Sequence, residues 1–170
     1  MRMSNFAGKT IGLMVAGGFD ETTFIAIQRA MLAINAKLKI ISRDAGLTNA
    51  WNGTGWGMSY PVDSTLSTTL AVDYDALIVP SGSRHIEKLA DEVHAKRILR
   101  AFLREEMPVL VIGDAIDILN ILDMPHPKFA EAAPVTQEAN LVACMGDAVS
   151  AGLEILNDVL IDRQDESCAA

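Results

Sequence analysis

Short runs of apolar residues recur along the chain at spacings that leave room for one helix between them. Thr10-Ile11-Gly12-Leu13-Met14-Val15, Leu38-Lys39-Ile40-Ile41, Ala76-Leu77-Ile78-Val79-Pro80 and Val109-Leu110-Val111-Ile112 are the four clearest. Runs this short and this continuously apolar suit strands buried on both faces, as in a parallel sheet covered by helices. The intervening segments change period. Phe24, Ile27, Met31 and Ile34 follow helical spacing, as do Ile86 with Leu89, then Ile98, Leu99, Phe102 and Leu103 in a helix predicted from about Val93 to Glu106. A last helix is predicted over Val149 to Ile161, with Leu153, Leu156 and Leu160 on its apolar side.

Strands alternating with helices imply right-handed crossovers and an α/β fold: a doubly wound, mostly parallel sheet with helices on both faces. Pro134-Val135-Thr136 and Leu141-Val142-Ala143, flanking Glu138-Ala139-Asn140, predict a small hairpin near the C-terminal end. Asn49 to Asp63, with Gly53, Gly55 and Gly57, reads as irregular or as an edge hairpin, and the two prolines of Asp123-Met124-Pro125-His126-Pro127-Lys128 make that segment a loop. One domain over 1–170 accounts for the chain, with 1–8 and 164–170 expected to fray.

Composition narrows the class. Of 170 residues, half are hydrophobic and only 5 % aromatic, and the formal net charge is −8. An acidic chain with no run of Lys and Arg is not expected to bind nucleic acid or an anionic membrane. The start lacks a signal peptide's apolar stretch, and no apolar run approaches the ~20 residues of a membrane span, so a cytoplasmic location is expected. Cys144 and Cys168 lie too far apart in sequence to suggest a structural disulfide, and three scattered histidines give no metal-ligand spacing, so no cofactor or metal is expected. Neither a Gly-x-Gly-x-x-Gly nor a Walker pattern opens a helix.

Chemistry, if present, is expected at the carboxyl ends of the strands. There the fourth strand runs into Gly113-Asp114 and then a helix carrying Ile116, Ile118 and Leu119. Gly113 permits a sharp turn, and Asp114 can cap the helix, with Asp117 completing a box-like arrangement. Alternatively Asp114 is a base or nucleophile beside Gly82. Ser83 is a plausible cap for the short helix through Ile86 and Leu89. Asp20 and Glu21 either favour the first helix N-terminus by charge-dipole attraction or line a cleft. Cys144 reads either as a small core residue or as a displaced thiol reaching the cleft. His85, beside Arg84, reads as a solvated helix start or an anion contact, and His94 as surface. Trp51, Trp56 and Tyr60 either cap a sheet edge or make a homodimer contact.

Three landmarks in order resemble the ThiJ/PfpI superfamily of class I glutamine amidotransferase-like, flavodoxin-like domains. They are Gly18-Phe19-Asp20-Glu21, Tyr74-Asp75-Ala76-Leu77-Ile78-Val79-Pro80-Ser81-Gly82, and the elbow from Val109 to Asp114. Val62-Asp63, Ser67-Thr68-Thr69 and Ile161-Asp162-Arg163 are similar to the C-terminal domain of large-subunit catalases, a branch with the fold but without the chemistry. The resemblance implies an elbow cysteine, a first-loop glutamate and often a histidine after the elbow. Here Gly113 stands at the cysteine position and Thr23, rather than Glu21, at the glutamate position. Ser81-Gly82 matches the pair whose amides would face an oxyanion. His126, between prolines, resembles the family's His-Pro wording but follows the elbow too closely to include the intervening strand.

Glycine cannot attack a carbonyl. The expectation is therefore a catalytically silent domain that binds, regulates or assembles, as a homodimer or higher homo-oligomer, with a small-molecule cleft lined by Glu21, Gly82, Ser83, Gly113 and Asp114. The alternative is a hydrolase or carbonyl-modifying enzyme rebuilt around Asp114 and Glu21, with or without Cys144. A third reading is a sensor of small anions at Ser81-Gly82-Ser83 and Arg84.

Overall fold

A computed structural model describes residues 6–121, 135–138, 140–146 and 148–169. Strands β1 (Thr10–Met14), β3 (Lys37–Ser42), β7 (Ala76–Val79) and β8 (Val109–Ile112) occupy the four apolar runs. With β6 (Ser64–Thr65), β9 (Val135–Glu138) and β10 (Leu141–Cys144) they form a seven-stranded sheet in the order β6-β3-β1-β7-β8-β10-β9. Every pairing in it is parallel except β9 with β10. This is the doubly wound α/β sheet that the alternation of elements predicts, with the expected hairpin at its C-terminal edge.

Side chains along each strand alternate between two cores, as the period of two requires. Ile11, Leu13, Ile78, Leu110, Ile112 and Val142 pack with Phe24, Ile27 and Met31 of α1 (Glu21–Ala33) and with Leu153 and Leu156 of α5 (Val149–Ala169). Leu77, Val79, Val109, Val111 and Ala143 pack on the other face. Their partners are Ile86 and Leu89 of α2 (Ser83–Ala90), Ile98, Leu99 and Phe102 of α3 (Val93–Arg104), and Ile118 and Leu119 of α4 (Asp117–Ile121). Helices on both faces leave β1, β7 and β8 buried throughout except for half-buried Thr10, so these strands meet solvent at their ends.

Helix α5 continues to Ala169, past the Ile161 at which apolar spacing ends and through part of the expected tail. Its extension, Asp162 to Ala169, contains neither glycine nor proline, so nothing in the backbone chemistry stops the helix.

The glycine-rich segment is more regular than its composition suggests. β4 (Leu47–Trp51) and β5 (Trp56–Pro61) form an antiparallel hairpin with a register shift between Asn49 and Trp51. β2 (Phe19–Asp20) joins it in a separate three-stranded sheet, so the hairpin does not extend the main sheet edge. Asn52 holds the turn by accepting from the amides of Thr54 and Gly55. Tyr60 packs on Phe24 with ring centroids 4.3 Å apart, tying the hairpin to α1. No helix among the described residues is long and apolar enough to cross a membrane.

Candidate functional site

β8 delivers the chain to Gly113, whose φ of +58° turns it sharply into a 3-10 segment, Gly113–Ile116, before α4 begins. A side chain here would carry the strain of the left-handed region. Its Cβ would also lie 3.1 Å from the Ser81 Cβ, so the position faces the end of β7.

Asp114 does not cap its own helix. Its Oδ1 instead accepts the Gly82 amide at 2.8 Å, across 32 residues of sequence. The 3-10 segment separates Asp114 from α4, which removes the geometry that a capping box needs. Ser83 is no cap either. The cap position of α2 is Gly82, and the helix start has no side-chain hydrogen bond. Gly82 adopts a φ of +135°, and a Cβ there would come within 2.9 Å of the Asp20 amide and the Phe19 Cα. Only glycine fits this close approach of β2.

Beside the elbow lies a network of short polar side chains. Asp20 caps α1 by accepting from the Thr22 amide at 3.2 Å, and its other oxygen accepts from the Thr23 hydroxyl at 2.9 Å and the Ser81 hydroxyl at 3.2 Å. The Thr23 and Ser81 hydroxyls are themselves 3.0 Å apart, and both residues are buried. Thr23, at the position where the resemblance implies a glutamate, is thus satisfied by its neighbours. The sequence does not single out the Ser81 side chain, because the Ser81-Gly82 pair reads as a source of backbone amides. Thr23, three residues after a capping aspartate, was the available signal.

Glu21 is not drawn into this network. Its carboxylate accepts the Met58 amide at 2.7 Å and so braces the β4–β5 hairpin. The carboxylate that shares the elbow cleft with Asp114 is Asp20. The cleft, about 330 Å³, is lined by Asp20, Ser81, Gly82, Asp114, Trp51 and Arg84 among others. The Arg84 guanidinium stacks 3.9 Å from the centre of the Trp51 ring, and the cleft lining carries this cation together with the two carboxylates.

Cys144 is a core residue. It is fully buried, and a Cβ on Gly152 of α5 would meet its sulfur at 2.7 Å, so the thiol packs under that helix and not in the cleft. His85 is neither solvated nor an anion contact. It is fully buried, its Nδ1 accepts from the Ala16 amide at 3.4 Å, and its Nε2 donates to the Pro80 carbonyl. Desolvation lowers its pKa from 6.5 to about 4, against the opposing pull of the Pro80 carbonyl and Asp20. His94 is half-buried, and its Nδ1 has no partner among the described residues. His126 lies outside the described residues. Among the described residues no cluster of three His, Cys, Asp or Glu could hold a metal ion. Although the sequence has no basic run, Lys96, Arg97, Arg100 and Arg104 gather along a groove on α3, where Arg97 donates to the carbonyls of Leu66 and Thr69.

A doubly wound, mostly parallel sheet with a glycine turn at the carboxyl end of the interior strand β8, and a cleft beside that turn, is a flavodoxin-like α/β scaffold. Residues 9–124 match the DJ-1/PfpI family, and the chain belongs to it. The fold is shared with a ThiJ/PfpI domain protein from Brachyspira murdochii, at a TM-score of 0.77 and 16 % identity over 92 % of this chain and 98 % of that one. Drosophila melanogaster DJ-1beta is similar at a TM-score of 0.76 and 16 % identity, over 89 % and 90 % of the two chains. A protein from Anabaena variabilis that joins a DJ-1/ThiJ/PfpI-like to a ferritin-like domain matches at 0.76 and 14 % identity, over 92 % of this chain and 48 % of its own. In sequence, catalase HPII of Mycobacterium avium is 25 % identical over 136 residues, which is 80 % of this chain but only 19 % of that protein. The chain therefore spans about a fifth of the length of that relative.

Proposed function

We propose that this chain is a non-catalytic DJ-1/PfpI domain, a binding, regulatory or assembly module. The observation that carries the reading is the pairing of Asp114 with the Gly82 amide beside a glycine elbow. Acyl and carbonyl chemistry on this scaffold needs an attacking atom and amides free to receive negative charge. Gly113 offers no attacking atom. The Gly82 amide already serves a carboxylate, and a second negative charge arriving there would meet Asp114 at close range. The nearest hydroxyl, on Ser81, hydrogen-bonds to Asp20 and Thr23, and among the described residues no histidine bonds to it to take a proton. The rebuilt-enzyme reading required Glu21 and Asp114 to meet, and Glu21 instead holds Met58.

Module use accords with the relatives: the same fold accompanies a ferritin-like domain in one protein, and a matching sequence makes up a fifth of a catalase in another. Leu47, Trp56 and Met58 are each exposed on the β4–β5 hairpin, and we propose that this hairpin contributes to self-association. Steady-state assays with methylglyoxal, nitrophenyl esters and fluorogenic peptides test the proposal. Rates equal to the buffer background support it, whereas saturable turnover that disappears in Asp114→Ala or Ser81→Ala refutes it.

A further inference from the structure

The groove along α3 has a volume of about 750 Å³ and shares no lining residue with the elbow cleft. It follows from the period of that helix. Ala95, Ile98, Leu99 and Phe102 are buried in the core. Val93, Lys96, Arg97, Arg100 and Arg104, also three and four residues apart, line the groove over a span of about 17 Å. Leu70 and Val72, from the 3-10 turn Ala71–Asp73 and the residue before it, contribute to the lining. The Arg97 guanidinium donates to the carbonyls of Leu66 and Thr69, both at 2.9 Å, and so ties α3 to the segment that leads into that turn. The groove is therefore set before any partner arrives, which lowers the cost of binding.

Its chemistry is of two kinds. Leu70, Val72 and Val93 are 53 %, 79 % and 70 % exposed, so apolar surface stands in water where covering it is favourable. Four cations and one carboxylate, Glu105, share the lining, and that carboxylate pairs with Arg104 at 3.4 Å. This local excess of positive charge sits in a chain of formal net charge −8, so the rest of the protein is more acidic than the total. A second copy joined through the groove by a two-fold axis would set cations against cations. A long polyanion or an anionic bilayer extends well beyond the groove and would meet that acidic remainder. A short acidic segment that also carries apolar side chains complements both parts of the lining.

We propose that this groove docks an acidic amphipathic segment of a partner protein, laid along α3 as a helix in a groove. Its carboxylates meet Lys96 and Arg100, and its apolar side chains cover Leu70, Val72 and Val93. The apolar contacts hold the segment, while the charges speed its arrival and exclude basic competitors. The surface is distinct from both the elbow cleft and the β4–β5 hairpin, and its use does not depend on whether that cleft is catalytic.

The test selects a display library of random peptides of about 12 residues, long enough to run the groove as a helix, on the full chain. Fluorescence anisotropy then measures the selected peptides. Enrichment of sequences that combine Asp or Glu with Leu, Ile or Phe is expected. Their binding should be about tenfold weaker to the double variant Lys96→Glu with Arg100→Glu, and weaker also to Val72→Ser. The same peptides with Lys in place of each acidic residue should prefer the double variant, a reversal that damaged folding could not produce. Lys96 is half-buried and Arg100 and Val72 are exposed, so the changes leave the core intact. No enrichment, enrichment without acidic residues, or affinities unchanged in the double variant overturn the proposal. Saturable binding to phosphatidylserine vesicles or to a DNA duplex at physiological salt, lost in the double variant, would assign the groove to a polyanion. Dissociation of a wild-type oligomer by those substitutions, seen in sedimentation, would assign it to a second copy. Either result overturns the proposal.

Discussion

Replacing Asp114 by alanine removes the carboxylate that joins the elbow to the start of α2. The bond is 2.8 Å long, half-buried and charge-assisted, and its loss leaves the Gly82 amide facing a cleft only partly open to water. Hydrogen bonds to charged groups contribute roughly 1.5–3 kcal/mol, and an unsatisfied donor costs a similar amount. The two are one effect seen from two sides, so the expected loss is about 2 kcal/mol. Were Asp114 merely a helix cap, its removal would cost about 1 kcal/mol. Asp114→Asn separates the cases, because an amide oxygen preserves the acceptor without the charge and should recover about half the loss. Urea unfolding followed by far-UV circular dichroism measures both variants, and an unchanged slope would confirm that only stability moved. A loss below about 0.5 kcal/mol for Asp114→Ala, or no recovery in Asp114→Asn, would refute the claim that this carboxylate satisfies the Gly82 amide.

Three further outcomes follow from the packing. Because His85 stays neutral in the fold down to about pH 4 but charges near 6.5 when unfolded, its contribution is complete above pH 6.5. It is lost as pH falls toward 4, by about 3 kcal/mol in all; the ring resonances of His85 should remain those of neutral imidazole at pH 5.5, and a midpoint near 6.5 by NMR would contradict its burial. Gly113→Cys should fold but lose about 1–3 kcal/mol in denaturant titration, from a left-handed backbone and a Cβ 3.1 Å from that of Ser81, and should gain no esterase activity. Gly152→Ala should be destabilising despite alanine's better helix propensity, because its Cβ would overlap the Cys144 sulfur. The double variant with Cys144→Ala should recover at least half the loss, and additive losses in a double-mutant cycle would show that the two sites do not touch.

The sheet and its order of elements were legible because buried strands and amphipathic helices differ in period, and each of the four main runs became the strand it predicted. Side-chain roles around the elbow were less so. Asp114 has the sequence context of a helix cap, and only the approach of α2's first turn, 32 residues away in sequence, shows where its oxygen goes. His85 follows an arginine at a helix start and reads as solvated, yet Phe19 and the end of β7 enclose it. The partner of Glu21 is a backbone amide of the hairpin, and backbone amides leave no trace in sequence. Local pattern fixes periodicity; contacts between distant segments decide which polar group satisfies which.

The reading of the elbow as chemically idle is tested most directly by rapid-quench intact-mass spectrometry of the purified chain during exposure to an activated ester. The account predicts an unmodified mass at every time point. A stoichiometric acyl intermediate that forms and decays at the rate of product release, on Ser81 or Asp114, would contradict it.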